Sequence, residues 1–271
     1  MKLAVSNIAW ETAAMDEHLA LLAELGVAGL ELSPSMVWPE PVDTPDDEWR
    51  RLGERVARFG LRIVSAHSLT YPRPDLHVFA SEAQRQELIR YLARLARQVS
   101  LVGCPHLVFG SARSRQIGSR ERAACLRLLA QTCRELAARA GEVGVALLIE
   151  PLSHDETDCI NTLAEAAALQ QEVAHPGFGL HVDLKSSFAE GEDLARLWQD
   201  YGPEIRHCHV ADPGLRPPSS ACPQHRLAAA AMQRAGYARY LSIEMGRRFG
   251  DTRQNLRDAV AFVRQTYLQA M

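Results

Sequence analysis

The stretch EVGVALLIE, residues 142–150, sets the reading of the chain: a glycine stops a helical pattern, five apolar residues follow, and a carboxylate closes the run. Gly-then-apolar punctuation returns in ELGVAGLEL (24–32), RFGLRIV (58–64), LVGCPHLVF (101–109) and RAGYARYLSIE (234–244). Short apolar runs after a helix-stopping glycine are how buried parallel strands enter from a preceding helix. Working outward, segments 2–8, 29–33, 61–67, 106–110, 145–150, 179–183, 205–210 and 240–244 read as eight strands. Amphipathic stretches over 13–25, 45–59, 81–102, 119–142, 161–174, 190–201, 224–235 and 251–268 read as helices between and after them. Asp16, Thr44, Ser81 and Ser119 are the expected N-caps, and Gly26, Gly60, Gly103, Gly144 and Gly236 the expected helix stops.

Eight strand-then-helix units predict a single (β/α)8 barrel spanning 1–271. A doubly wound sheet would alternate in the same way, but SNIAWE (6–11) after the first strand lacks the glycine-rich dinucleotide fingerprint. No low-complexity tract or charge block divides the chain, so one domain is expected. Two loops, 34–44 and 211–223, hold seven of the fourteen prolines. In a barrel both overhang the C-terminal mouth, and the prolines stiffen them.

Composition excludes more than it identifies. With 47% hydrophobic residues, a net charge of −3 and no basic block, the chain has a large core and no electrostatic reason to seek nucleic acid or an anionic membrane. The N-terminus lacks a secretory signal pattern and no run is long enough to span a bilayer, so a cytoplasmic location is expected. Six cysteines occur without a CxxC pair, which argues for free, mostly buried thiols rather than a zinc ribbon or redox motif.

Four residues carry the chemistry. Glu150 ends LLIE, Asp183 ends GLHVD, His209 lies in RHCHV and Glu244 ends LSIE. A carboxylate at the edge of an apolar run is costly without a partner, and parallel barrel strands would gather all four at one mouth. Three carboxylates and one imidazole suit one divalent ion, with Mn²⁺, Mg²⁺ or Co²⁺ favoured over Zn²⁺. Such an ion would hold two oxygens of a hydroxy-carbonyl compound, and Glu150 and Glu244 would move a proton through an enediolate. In HCHV, alternation puts His207 and His209 on one face and Cys208 on the other. The bland alternatives are an Arg ion pair for Glu150, a helix cap for Asp183 and a core role for the histidine.

The segments SNIAW, GLELSPS, IEPL, GFGLHVD, HCHV and RAGYARYLSIEM, with the order and spacing of the four residues, resemble the xylose isomerase-like superfamily of sugar isomerases and epimerases, including the ketose 3-epimerases. The resemblance covers nearly the whole chain. It implies a small carbohydrate substrate, Glu150, Asp183, His209 and Glu244 as metal ligands, and Glu150 and Glu244 as the proton-transfer pair; homo-oligomers formed through mouth loops are common in such barrels. The chain departs from the epimerase pattern at Ser186, where a His follows the Asp ligand by three, and at Arg216, near but one residue beyond an expected Arg. The loop PPSSACPQH (217–225) replaces a glycine-rich stretch. DNA-repair endonucleases of the same barrel are a poorer match: His67 could be one of their extra histidines, but Ser186 stands where a His would follow the Asp, the loop after His209 lacks their Asp-x-His pair, and there is no basic face.

Further contacts to substrate are expected from His67, Glu156, Arg216, Trp10, Glu31 and Trp38, all placed near strand ends or in the mouth loops. Arg113 and Arg115 offer forks for an anionic group. Lys185, one of only two lysines, stands two residues after Asp183. A sugar or sugar-phosphate isomerase or epimerase is thus the leading expectation. A dehydratase of a keto-polyol on the same metal site, or a barrel that binds metal and carbohydrate without catalysis, stands behind it.

Overall fold

The computed structural model describes residues 1–268. Eight parallel strands, β1 (Lys2–Ser6), β2 (Gly29–Leu32), β3 (Arg62–Ala66), β4 (His106–Phe109), β5 (Ala146–Ile149), β6 (Phe178–Asp183), β7 (Ile205–Val210) and β8 (Tyr240–Ile243), close on one another in sequence order. The ring is sealed between β1 and β8 by the register Lys2 with Tyr240 through Val5 with Ile243. Around it lie α1 (Met15–Glu24), α2 (Asp46–Arg58), α3 (Glu82–Ser100), α4 (Arg122–Gly141), α5 (Leu163–Val173), α6 (Leu184–Ala189), α7 (Leu194–Tyr201), α8 (Gln224–Arg234) and α9 (Thr252–Val263). The (β/α)8 barrel expected from the glycine-to-strand rhythm is therefore the fold. Residues 269–271, the end of the domain expected to span 1–271, lie outside the described residues.

The apolar helix faces bury against the outer wall of the barrel, with Trp49, Trp198 and Phe178 among the largest fully buried side chains. Gly144 (φ +75°) and Gly236 (φ +67°) take the left-handed conformation that ends a helix and releases the chain into the next strand, a conformation costly for any residue with a Cβ.

Helix starts differ from expectation in three of four places. Ser81 caps α3 by accepting from the Gln84 backbone N–H at 3.2 Å. By contrast, α1 opens at Met15 behind Ala14, while Pro45 and Glu121 hold the cap positions of α2 and α4. Glu121 accepts from two backbone N–H groups, so a longer acidic side chain does the work expected of Ser119. The helix expected at 190–201 is α7, which starts at Leu194, and a short helix that was not expected, α6, precedes it. Asp183 itself caps α6 through Lys185 N at 3.0 Å, so this short helix begins directly at the strand end.

Candidate active site

Alternation along β7 turns His207 and His209 into the barrel, where they meet Glu31 from β2. Glu31 is fully buried, and four donors surround its carboxylate: Ser65 Oγ at 2.6 Å, Ser242 Oγ at 2.7 Å, His207 Nε2 at 3.0 Å and His209 Nε2 at 2.9 Å. Burial alone would push this carboxyl up, but the neighbouring imidazoles outweigh it and hold the group ionised, well below the ordinary value. A carboxylate only accepts, so His209 donates from Nε2 and its Nδ1 is left facing the mouth.

At that mouth His209 Nδ1 lies 2.9 Å from Glu150 Oε1 and 3.3 Å from Glu244 Oε2. Glu244 also meets His67 Nδ1 at 3.1 Å, and His67 Nε2 is fixed on Ser6 Oγ at 2.6 Å. Glu150 and Glu244 follow directly after β5 and β8, whose apolar residues anchor them at the barrel rim. Gly110 lies against the Glu150 carboxylate, and a Cβ there would collide with it. The two carboxyls are driven apart electrostatically: burial raises Glu150, with Glu244 and Asp183 adding to the shift, whereas for Glu244 the pull of His209 and His67 exceeds the cost of burial and lowers it.

One donor atom each from Glu150, His209 and Glu244 lies within 4.8 Å of the others. Asp183 lines the same cleft, but its Oδ2 accepts from Ser186 Oγ at 2.8 Å and from Lys185 Nζ at 3.1 Å. The four expected ligands thus gather as three plus one. The three-plus-one set fits a divalent cation: carboxylates crowd an imidazole whose buried Nδ1 has no well-directed hydrogen bond. His209 is itself held well above its ordinary value, because Glu31, Glu244 and Glu150 together overcome its burial, so this site demands positive charge.

Lys185 matters more than its spacing suggested. Its ammonium sits in the cleft between Asp183 and Glu156, and these carboxylates raise it well above the ordinary lysine value against the effect of burial. Beneath it, Ser186 fills the place where an imidazole was expected and serves to orient Asp183. His67, Glu150, Glu156, Asp183, Lys185 and Glu244 face a cleft of about 480 Å³, roofed by Pro213, Gly214 and Leu215 of the loop after β7.

Four expected substrate contacts lie elsewhere. Glu31 is sealed below His209, fully buried, with its carboxylate on His209 Nε2. Trp10 is 2% exposed and stacks on His18 at 5.0 Å, and Trp38 packs on Trp49 at 4.6 Å, so both cover the barrel rather than wall the cleft. Arg216 pairs through its backbone with Asp212 and sets its guanidinium over Phe249 at 5.4 Å. Arg115, expected as a fork for an anion, is fully buried and donates through Nη2 to the Glu150 carbonyl at 2.6 Å, which ties the loop after β4 to the end of β5. All six cysteines are free and buried. Among the described residues no helix is long and apolar enough to cross a membrane.

A family model for the xylose isomerase-like TIM barrel matches residues 19–266. The chain belongs to this family. Among relatives of the xylose isomerase-like barrel, a ketose 3-epimerase of Arthrobacter globiformis is 27% identical over 77 residues; the match spans 28% of this chain and 27% of that protein. The structure of a 3-keto-D-glucoside 4-epimerase from E. coli superimposes with a TM-score of 0.83 at 20% identity, covering 98% of this chain and 99% of that one. That of an L-ribulose 3-epimerase gives 0.85 at 18% identity, covering 98% and 95%. These structures share with the present xylose isomerase-like barrel its fold over nearly its full length.

Proposed function

We propose that the protein is a divalent-metal-dependent isomerase or epimerase of a sugar or sugar phosphate. The observation that carries this reading is the convergence of Glu150 and Glu244 on His209 Nδ1, at 2.9 and 3.3 Å, on the floor of the cleft. A divalent ion held by Glu150, His209 and Glu244, with Asp183 as the fourth ligand, would supply Lewis-acid polarisation of a carbonyl and acidify the adjacent C–H. Glu150 and Glu244 come from strands on different sides of the mouth, so one removes a proton from the carbon beside the carbonyl and the other returns it to the resulting enediolate. Positioned acid–base groups of this kind each contribute roughly 10²–10⁴-fold. Lys185 supplies a fixed ammonium to a substrate oxygen, and His67 holds Glu244 in register. The polar cleft of about 480 Å³ suits a small carbohydrate. A cytoplasmic location is part of the same proposal.

The test is incubation of ketoses and aldoses in D₂O with Mn²⁺, followed by NMR. Deuterium should enter at the carbon next to the carbonyl, and Glu150→Gln and Glu244→Gln should each abolish it. Loss of water with a new ultraviolet chromophore would instead identify the dehydratase. No exchange with any ketose, in a protein that nevertheless binds sugar, would leave the non-catalytic barrel and reject this reading.

A further inference from the structure

The cleft over Glu150 does not end at the rim of the metal site. Ser68 and Gly110 line it on one side and line a second compartment on the other, of about 550 Å³, walled by Thr70, Tyr71, Pro74, Ser111 and Arg113. Both compartments fall within the ~300–1,000 Å³ of ordinary ligand clefts. The walls come from the loops after β3 and β4, both at the C-terminal mouth.

Three features distinguish this compartment from an ordinary surface dent. Tyr71 is 80% exposed, so a large amphipathic ring stands in water with one face uncovered. Ser68, at the junction, has φ +54°, a left-handed conformation disfavoured for a residue with a Cβ, and it turns the chain between the two spaces. The remaining walls include the Ser111 hydroxyl, Pro74, Ala112 and the exposed Arg113, with Thr70 held behind them by a 2.9 Å hydrogen bond to Ser114. An exposed aromatic face with hydroxyl and guanidinium donors around it matches the alternating C–H faces and hydroxyl edges of a pyranose.

We propose that this compartment is a second sugar subsite, and that the substrate is a disaccharide whose reacting ring, the one with a free or latent carbonyl, lies over Glu150 while its other ring stacks on Tyr71. The inference rests on the carbohydrate reading of the first site, and it names the substrate class. A free hexose would fill only the inner compartment, leaving Tyr71 unused.

The test is calorimetric binding to the Mn²⁺-loaded protein, with maltose, cellobiose and lactose compared against D-glucose and D-fructose. At least one disaccharide should bind tenfold or more tightly than its constituent monosaccharides. That preference should collapse toward unity in Tyr71→Ala and be restored in Tyr71→Phe. Equal binding of mono- and disaccharides, or a preference that survives Tyr71→Ala, overturns the proposal. So does a change of oligomeric state in Tyr71→Ala without a change in preference, which would make the ring a contact between copies. Because binding is read without turnover, disaccharide preference without deuterium exchange would reject only the isomerase reading. Exchange of ketoses without disaccharide preference would reject only the subsite.

Discussion

A buried, ionised carboxylate costs several kcal/mol unless its lone pairs are met, and Glu31 meets that cost with four donors. What it provides is a fixed tautomer and added basicity for His209. Glu31→Gln preserves the shape and removes the charge, so Mn²⁺ affinity should fall by about 10–100-fold with circular dichroism unchanged. Unaltered affinity by titration calorimetry would remove Glu31 from this role. His106, at the opposite end of the barrel, makes a separate prediction. Burial, aided by His207, Arg206 and Arg239, lowers it from its ordinary 6.5 to about 3. Between those two pH values the unfolded chain binds the proton that the folded one refuses, so stability falls as pH drops from 6.5 toward 3. Each unit of difference is worth about 1.4 kcal/mol, and His106→Gln should flatten the acid limb of a pH–melting curve.

At the scale of elements, the loop after β7 is held as a unit. Asp212 accepts from His225 Nε2 at 2.7 Å, from Ser219 Oγ at 2.8 Å and from Ser219 N at 3.2 Å, while His225 Nδ1 meets the Tyr267 hydroxyl at 2.6 Å. The loop, α8 and the end of the chain after α9 are thereby pinned together, and Pro213–Leu215 are presented to the cleft. Asp212→Ala leaves His225 buried without its partner and should cost about 3 kcal/mol, seen as a lower melting midpoint. Because the cleft roof loosens while Glu150 and Glu244 stay in place, KM should rise more than kcat falls. A variant that melts with the parent would show that the latch bears no load. The serine- and proline-rich sequence of this loop signalled stiffness, but the His225–Tyr267 contact joins positions too distant in sequence for any local pattern to reveal.

For the whole molecule, the closed barrel concentrates Glu31, Glu150, Asp183 and Glu244 at one end of the interior, where low polarisability magnifies their repulsion. A bound cation should therefore stabilise the entire fold. Treatment with EDTA should lower the melting midpoint, and excess Mn²⁺ should restore it, by about 2.7 kcal/mol at a hundredfold excess over Kd. A midpoint indifferent to both would contradict metal binding at this site.

The amino-acid sequence alone determined the barrel, because eight apolar runs, the amphipathic helices between them and five glycine stops are local signals in register with the fold. It also singled out Glu150, Asp183, His209 and Glu244, since a charged group at the end of an apolar run has few affordable environments. Tertiary structure decided what stands around them. Strand register placed Glu31 under His209 rather than in the cleft, an early turn of helix bound Asp183 to Lys185, and Trp10 and Trp38 went into packing. Those outcomes depend on which side chains meet across the closed ring and its loops, and distance in space carries no trace along a single chain.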